Sequence, residues 1–299
     1  MKKIVVSGAT SMIGTALIDS AIADGTEVYA IVRPNTSRKS RLVEHDYVHS
    51  IVGSLDNLTD IDGIPDDCEV FYHFAWAGTS KEERDDARIH EKNIRYTLDA
   101  VELASRIGCR RFVGAGSQAE YGIVDGLIND NTRFAPVISY GIAKYASCIL
   151  SRKLCEEKGM EHVWGRIFSV YGPHDNEWTM LKKAIDSFRR GEVVKFSAGT
   201  QPWNYLYESD AGDIFYSLGK IKVKPGEYPI ADSKSRPLRE YILKMMEVYG
   251  PDAKAEFASD DGRKLQGLEV DASKTFEAVG FEPKIKFEEG IRKMIEFCN

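Results

Sequence analysis

Tyr140 and Lys144 stand four residues apart in the run Ser139-Tyr-Gly-Ile-Ala-Lys144. On a helix that spacing puts both side chains on one face. An ammonium held there can lower the pKa of a phenol, ordinarily about 10, until it exchanges a proton near neutral pH. Ser117 lies upstream in Arg111-Phe-Val-Gly-Ala-Gly-Ser-Gln-Ala-Glu-Tyr-Gly122, where an apolar run gives way to a loop. Parallel-sheet enzymes place chemistry at such strand ends, and a hydroxyl there can hydrogen-bond a substrate oxygen. Asn93, inside a helical segment, can help close a proton relay.

These residues need elements to hold them. Lys3–Ser7 is a short β-branched run, followed by an apolar helix pattern over Met12–Ala23 that ends at Asp24-Gly25. Glu27–Val32, Tyr47–Val52 and Val70–Phe74 read as further strands. Ala87–Ile107 has helical periodicity and closes at Gly108. Arg111–Ala115 is a strand, Ile138–Lys158 a long helix and His162–Phe168 another strand. Strands alternating with helices predict an α/β fold with a parallel sheet covered on both faces. After Tyr171-Gly172-Pro173 the spacing becomes less regular, and a smaller region with some segments returning to the main sheet is expected.

Gly8-Ala-Thr-Ser-Met-Ile-Gly14 follows the first strand and opens a helix, the context a dinucleotide-binding turn requires. Glycines let backbone approach a pyrophosphate, and the helix N-terminus favours its charge. Ser11 takes the place of the usual middle glycine, at a cost if the backbone there needs positive φ. A simple tight turn is the other reading of this segment. An acid at the end of the second strand would bind the ribose 2′-hydroxyl of NAD. The chain instead has Arg33 and Arg38 beside Asn35, Thr36 and Ser37. Guanidinium and hydroxyl groups suit the 2′-phosphate of NADP, and a solvated basic loop is the alternative.

The 299 residues are 43% hydrophobic and 29% charged, enough for one large or two modest domains. A net charge of -6 argues against a nucleic-acid partner. Five cysteines without a CxxC fit a reduced, cytoplasmic setting. No stretch approaches the roughly 20 apolar residues of a membrane span, so no membrane association is expected. His45 and His49 approach a strand, where their spacing builds no helical metal pair, and no metal is expected.

With these motifs the chain resembles the extended short-chain dehydrogenase/reductase family, in its nucleotide-sugar branch of epimerases, dehydratases and reductases. The likeness runs nearly end to end. It adds His73-Phe-Ala-Trp76, Asn93, Ser117 four residues before Tyr121-Gly122, and Arg166-Ile-Phe-Ser-Val-Tyr-Gly-Pro173. Asp271-Ala-Ser-Lys274 and Val279-Gly-Phe-Glu-Pro283 complete it. The resemblance implies a Rossmann-type doubly wound parallel sheet with a smaller C-terminal α/β substrate domain. Residues 1–172 would form the dinucleotide-binding domain, with segments within 204–232 returning to it, and 173–299 mainly the substrate domain. It gives Ser117, Tyr140 and Lys144 the catalytic roles, with Lys144 also holding the nicotinamide ribose and Asn93 supporting the relay.

Cofactor contacts are expected from Gly8, Thr10, Ser11, Met12, Ile13 and Gly14, then from Arg33, Asn35, Ser37 and Arg38. Ser54, where the family often has an adenine-contacting Asp, Leu55, Phe74, Ala75 and Trp76 join them, as do Tyr140 and Lys144. Substrate contacts are expected from Ser117, Gln118, Ser169, Trp203 and Arg263. Trp203 occupies a place where the family often has a phosphate-binding Arg, so it either stacks on the ligand or simply packs. Arg263 is then the best diphosphate contact, and Ser169 replaces a family Asn. A homodimer through the two long helices is a further expectation of the resemblance.

The family's dehydratases place Asp-Glu directly after the catalytic Ser or Thr. Here those positions are Gln118 and Ala119, which cannot carry out an elimination, and Glu120, one place late, reads as a structural loop residue. The leading expectation is an NADPH-dependent reductase of a nucleotide-diphospho 4-keto sugar, with hydride to C4 and Tyr140 as proton donor. The alternative is an NAD-dependent nucleotide-sugar 4-epimerase using the same residues. A non-catalytic dinucleotide-binding sensor on the same fold is the third reading.

Overall fold

Along Lys3–Ser7 the side chains of Ile4 and Val6 enter one apolar cluster and that of Val5 enters another. The strand period of two divides them, so one short run feeds a core on each face of a sheet. The computed structural model describes residues 1–260, 262 and 266–298. Its elements are β1 (Lys3–Ser7), α1 (Met12–Ala23), β2 (Glu27–Val32), β3 (Val48–Val52), β4 (Val70–His73), α2 (Ala87–Arg106), β5 (Arg111–Ser117), α3 (Ser139–Glu157) and β6 (Glu161–Ile167). Then come β7 (Ser169–Tyr171), α4 (Met180–Arg189), β8 (Val193–Phe196), β9 (Pro202–Trp203), β10 (Tyr205–Tyr207), α5 (Glu208–Lys220) and β11 (Gly226–Ile230). The chain continues with β12 (Arg236–Pro237), α6 (Leu238–Tyr249), β13 (Lys254–Phe257), α7 (Ser273–Val279) and α8 (Phe287–Cys298).

Seven strands form one sheet in the order β11-β6-β5-β4-β1-β2-β3, all parallel. The chain runs outward from β1 to β3, then crosses back to lay β4 on the other side of β1. That reversal opens a crevice at the carboxyl ends of β1 and β4, where open α/β sheets bind ligands. This is the Rossmann-type doubly wound arrangement. Helices α1 and α5 cover one face; a Cβ on Gly212 of α5 would lie 2.5 Å from the Ala16 carbonyl carbon of α1, so glycine permits their close approach. The other face is covered by α2 through Ala100, Val101, Leu103 and Ala104, and by α3 through Cys155. A further apolar cluster gathers α4, α6 and α8 around Tyr171 and Tyr207.

Helix starts position the site. Asp86 caps α2 by accepting from the amides of Arg88 and Ile89 at 2.9 and 3.1 Å. The residue before α3, Ile138, has no capping side chain. The preceding loop supplies what it lacks: Asp85 Oδ1 accepts from Ser139 N at 2.9 Å, and the Arg84 carbonyl from Tyr140 N at 3.0 Å. The five cysteines are free thiols, and all but Cys298 are buried. Among the described residues no helix is long and apolar enough to cross a membrane.

Candidate active site

The crevice is built first by glycine. Gly8 turns with φ +76°, and a Cβ there would lie 2.6 Å from Ala75 N in the loop after β4. A Cβ on Gly14 would meet the Gly8 carbonyl at 2.3 Å. Both positions therefore exclude a side chain, and the chain packs its two loops against each other. Ser11 needs no positive φ: it sits at φ -77° and caps α1, its hydroxyl accepting from Gly14 N at 3.1 Å. The substitution of the middle glycine is thus unstrained and adds a cap. The amides of Met12 and Ile13, first in the helix, have no intrahelical acceptor and make its N-terminus attractive to an anion.

A cavity of about 170 Å³ opens there. Gly8, Thr10, Ser11, Arg33, Arg38, Ser54, Leu55, Phe74, Ala75 and Trp76 line it. Of the expected cofactor contacts, Met12, Ile13, Gly14, Asn35 and Ser37 lie outside that lining, as do Tyr140 and Lys144. The cradle that side chains would fill, the helix N-terminus behind it and the two guanidinium groups at its far end fit a dinucleotide.

Ser117 is the last residue of β5 rather than a loop residue. Its amide donates to Glu120 Oε1 at 2.8 Å, and its hydroxyl accepts from Ala119 N at 3.2 Å. The hydroxyl also favours the ionised form of the Tyr140 phenol. Glu120 is fully buried; Oε2 accepts from Arg166 Nε at 2.7 Å and Oε1 from Trp164 Nε1 at 3.0 Å. All its capacity is spent on holding Ser117 and the neighbouring strand. It is structural, and no carboxylate stands at 118 or 119.

Lys144 is 5% exposed. Its ammonium donates to the Ala115 carbonyl at 2.7 Å and lies 3.6 Å from the Trp76 ring centroid, against 5.9 Å from that of Tyr140. Its pKa falls to about 7: burial lowers it, Glu120 opposes the fall and the Arg84 charge adds to it. The expected pairing of ammonium and phenol therefore needs correction. The cation over the Tyr140 ring is Arg84, 4.2 Å from its centroid. Burial raises the Tyr140 pKa; Arg84 and Ser117 pull it down and Glu120 pushes it up. Arg84 carried no sequence signal, because a lone arginine before an Asp-Asp helix start looks like any solvated charge.

Asn93 is 1% exposed and does not reach Tyr140 or Lys144 by any hydrogen bond found. Its amide oxygen accepts from Ala77 N and its nitrogen donates to Ala77 O, both at 2.9 Å. It pins the loop that carries Trp76. Trp203 packs beside Tyr205 between two C-terminal apolar clusters. Ser169 lies on β7, paired with Tyr205 of β10, and Gln118 is half-buried beside Ser117. Arg263 lies outside the described residues. A second cavity, of about 470 Å³, opens between Ile123–Gly126 and Thr200–Pro202, with Gln266 and Gly267 on its wall. Ser117, Gln118, Ser169 and Trp203 are not on its lining, and its segments are brought together only by folding.

The family model for the NAD dependent epimerase/dehydratase family matches residues 4–231. The chain belongs to this family. Among curated relatives, UDP-glucuronic acid decarboxylase 1 of Arabidopsis thaliana is 24% identical over 98% of this chain and 69% of its own length. UDP-glucuronic acid decarboxylase 3 of the same plant is 26% identical, over 98% and 88%. Among solved structures, UDP-N-acetylglucosamine 4-epimerase from Methanobrevibacter ruminantium, in complex with UDP-N-acetylmuramic acid, has a TM-score of 0.87 at 20% identity, covering 99% of this chain and 98% of its own. UDP-glucuronic acid 4-epimerase from Bacillus cereus, in complex with NAD, has a TM-score of 0.83 at 19% identity, with the same coverage. Ser117 closes β5 at the carboxyl edge of the sheet, and Tyr140 and Lys144 lie in the first turns of α3 beside it.

Proposed function

We propose that this protein is an NAD-dependent nucleotide-sugar 4-epimerase. The observation that carries the reading is what surrounds Ser117: its hydroxyl favours ionisation of the Tyr140 phenol, the adjoining positions hold Gln118 and Ala119, and the carboxylate that follows, Glu120, is bound to Arg166 and Trp164. Such a site can move a proton and orient an alcohol or carbonyl, but among the described residues it shows no free carboxyl beside Ser117 to carry out an elimination. When bound in the cavity at Gly8 and Ser11, the dinucleotide supplies reversible hydride transfer. Tyr140 takes the proton of the sugar hydroxyl as it becomes a carbonyl and returns it when the alcohol re-forms. Ser117 donates to the same oxygen and steadies the charge that develops on it. Lys144, with Trp76, holds the wall between the two loops. Substrates of the solved epimerases, UDP sugars, support a nucleotide sugar as the ligand.

A second reading is the NADPH-dependent reduction of a 4-keto nucleotide sugar, favoured by Arg33 and Arg38 at the cavity wall where an NAD enzyme commonly has an acid. One experiment separates them. The purified protein is incubated with UDP-glucose, UDP-glucuronic acid or UDP-N-acetylglucosamine plus NAD, and in parallel with nucleotide-diphospho 4-keto sugars plus NADPH, and products are followed by NMR and nicotinamide absorbance. The epimerase reading expects the C4 epimer with no net change in nicotinamide absorbance. Turnover only of 4-keto sugars, with one NADPH oxidised per product, would replace it by the reductase.

A further inference from the structure

Tyr140 is enclosed by groups from several elements. Arg84, in the loop before α2, lays its guanidinium over the ring face. His90 of α2 and Trp76 of the loop after β4 meet the ring edge-on, with centroids 5.5 and 6.0 Å away. Burial lowers the His90 pKa, so the imidazole is neutral at pH 7. Glu120, in the turn after β5, is the carboxylate that acts on the phenol, and it is paired with Arg166. Lys144, one turn along α3, is turned toward the Ala115 carbonyl and the Trp76 indole.

We propose that Arg84 is a positioning residue of the reaction: its guanidinium fixes the Tyr140 ring and supplies the positive charge that favours the phenolate. The proposal rests on the reading of Tyr140 as the proton carrier. Its geometric basis is that the Arg84 backbone is locked to the same helix start. The Arg84 carbonyl accepts from Tyr140 N at 3.0 Å, and Asp85 takes both the amide and the hydroxyl of Ser139, at 2.9 and 3.0 Å. Loop and helix therefore move as one body, and the charge is placed before any ligand arrives. An opposite charge at such a distance favours the ionised form of an acid by about one to three pH units. Arginine also keeps its proton at every working pH. Burial lowers the Lys144 pKa to about 7, so its charge varies with pH around neutrality where that of Arg84 does not. The constant charge beside the phenol is Arg84.

The test replaces Tyr140 by fluorotyrosine in the full chain and follows its ionisation by fluorine NMR, since the fluorinated phenol titrates at lower pH than tyrosine. Arg84→Gln and Arg84→Met, the latter keeping the aliphatic stem over the ring, should each raise the midpoint by about one pH unit. Arg84→Lys should recover part of that shift. Lys144→Met should move the midpoint less than either neutral Arg84 variant. An unmoved midpoint in folded Arg84→Gln or Arg84→Met, or a larger shift from Lys144→Met, overturns the proposal. Because the titration needs no substrate, it stands apart from the proposed reaction. A shifted midpoint with no epimerase activity in the parent protein removes the reaction and leaves Arg84 its role, whereas full activity with an unmoved midpoint removes Arg84 alone.

Discussion

Lys144 is held almost without solvent between a strand carbonyl and an indole ring. Burial sets its folded pKa at about 7, below the ordinary 10.5. The unfolded chain then keeps this proton to a higher pH than the folded one. Between about pH 7 and 10.5 the unfolded state binds more protons, so stability gained from this residue rises with pH, at most by about 1.4 kcal/mol per unit. Lys144→Met removes that slope. Urea midpoints of the parent and the variant, measured from pH 6 to 10, should therefore diverge in favour of the parent as pH rises. Parallel curves would mean that the Ala115 carbonyl and Trp76 hold the ammonium at its ordinary proton affinity. At this scale Ser117, Tyr140 and Lys144 were legible because their spacing on strand and helix is a local property. Arg84 was not, because its place over Tyr140 depends on a loop docking onto a helix fifty-odd residues further along the chain. Asn93 was legible as a buried helix residue but not as the clamp on Ala77, which is a contact between distant segments.

β5 shows how an element can be tuned for the site. Gly114 and Gly116 face Trp164 of β6: added Cβ atoms would lie 2.3 and 2.2 Å from the indole. The strand gives up side chains so that Trp164 can lie flat and donate to Glu120, which in turn holds Ser117. Gly116→Ala should overpack this site and break the Trp164–Glu120 bond, lowering stability by about 1–3 kcal/mol. A thermal or urea midpoint equal to that of the parent protein would show that Trp164 has room to yield. Catalysis should fall with stability, since Ser117 is one residue away. The glycines of β5 were visible in the sequence but not their reason, which lies on a neighbouring strand. The alternation of strand and helix up to Ile167 was legible because the inner parallel strands are short buried runs, such as Lys3–Ser7 and Val70–His73, set between longer helical segments. Beyond it, α6, α7 and α8 were not anticipated. The apolar stripes of α4, α6 and α8 serve a small core assembled from several short segments, α7 packs Phe276, Ala278 and Val279 against the main-sheet core, and prolines between these segments hide the period.

The parallel sheet buries its strands between α1 with α5 and α2 with α3, so the outer surfaces of these helix pairs form much of the molecule's exterior. On α3 this exterior is not uniformly polar. Ile142, Ile149 and Leu150 are 51, 38 and 44% exposed, and the spacing of seven between the first two puts them on one stripe. Beside it on α2, Ile94 and Leu98 are half-buried. Single exposed apolar residues need no explanation, but a stripe on a rigid helix pair is a surface suited to a second copy of itself. The homodimer implied by the family resemblance would use this stripe, with two helices from each chain forming a four-helix layer. A C2 axis there would leave both crevices open, because they lie at the carboxyl edge of the sheet rather than on its helical faces. Light scattering should then give a dimer mass for the parent protein. Ile142→Glu combined with Ile149→Glu should give a monomer whose dinucleotide affinity is unchanged, since neither residue lines the cavity at Gly8. A parent protein that stays monomeric at its highest soluble concentration, or a double variant that remains dimeric, would assign these side chains to the ordinary apolar fraction of a protein surface.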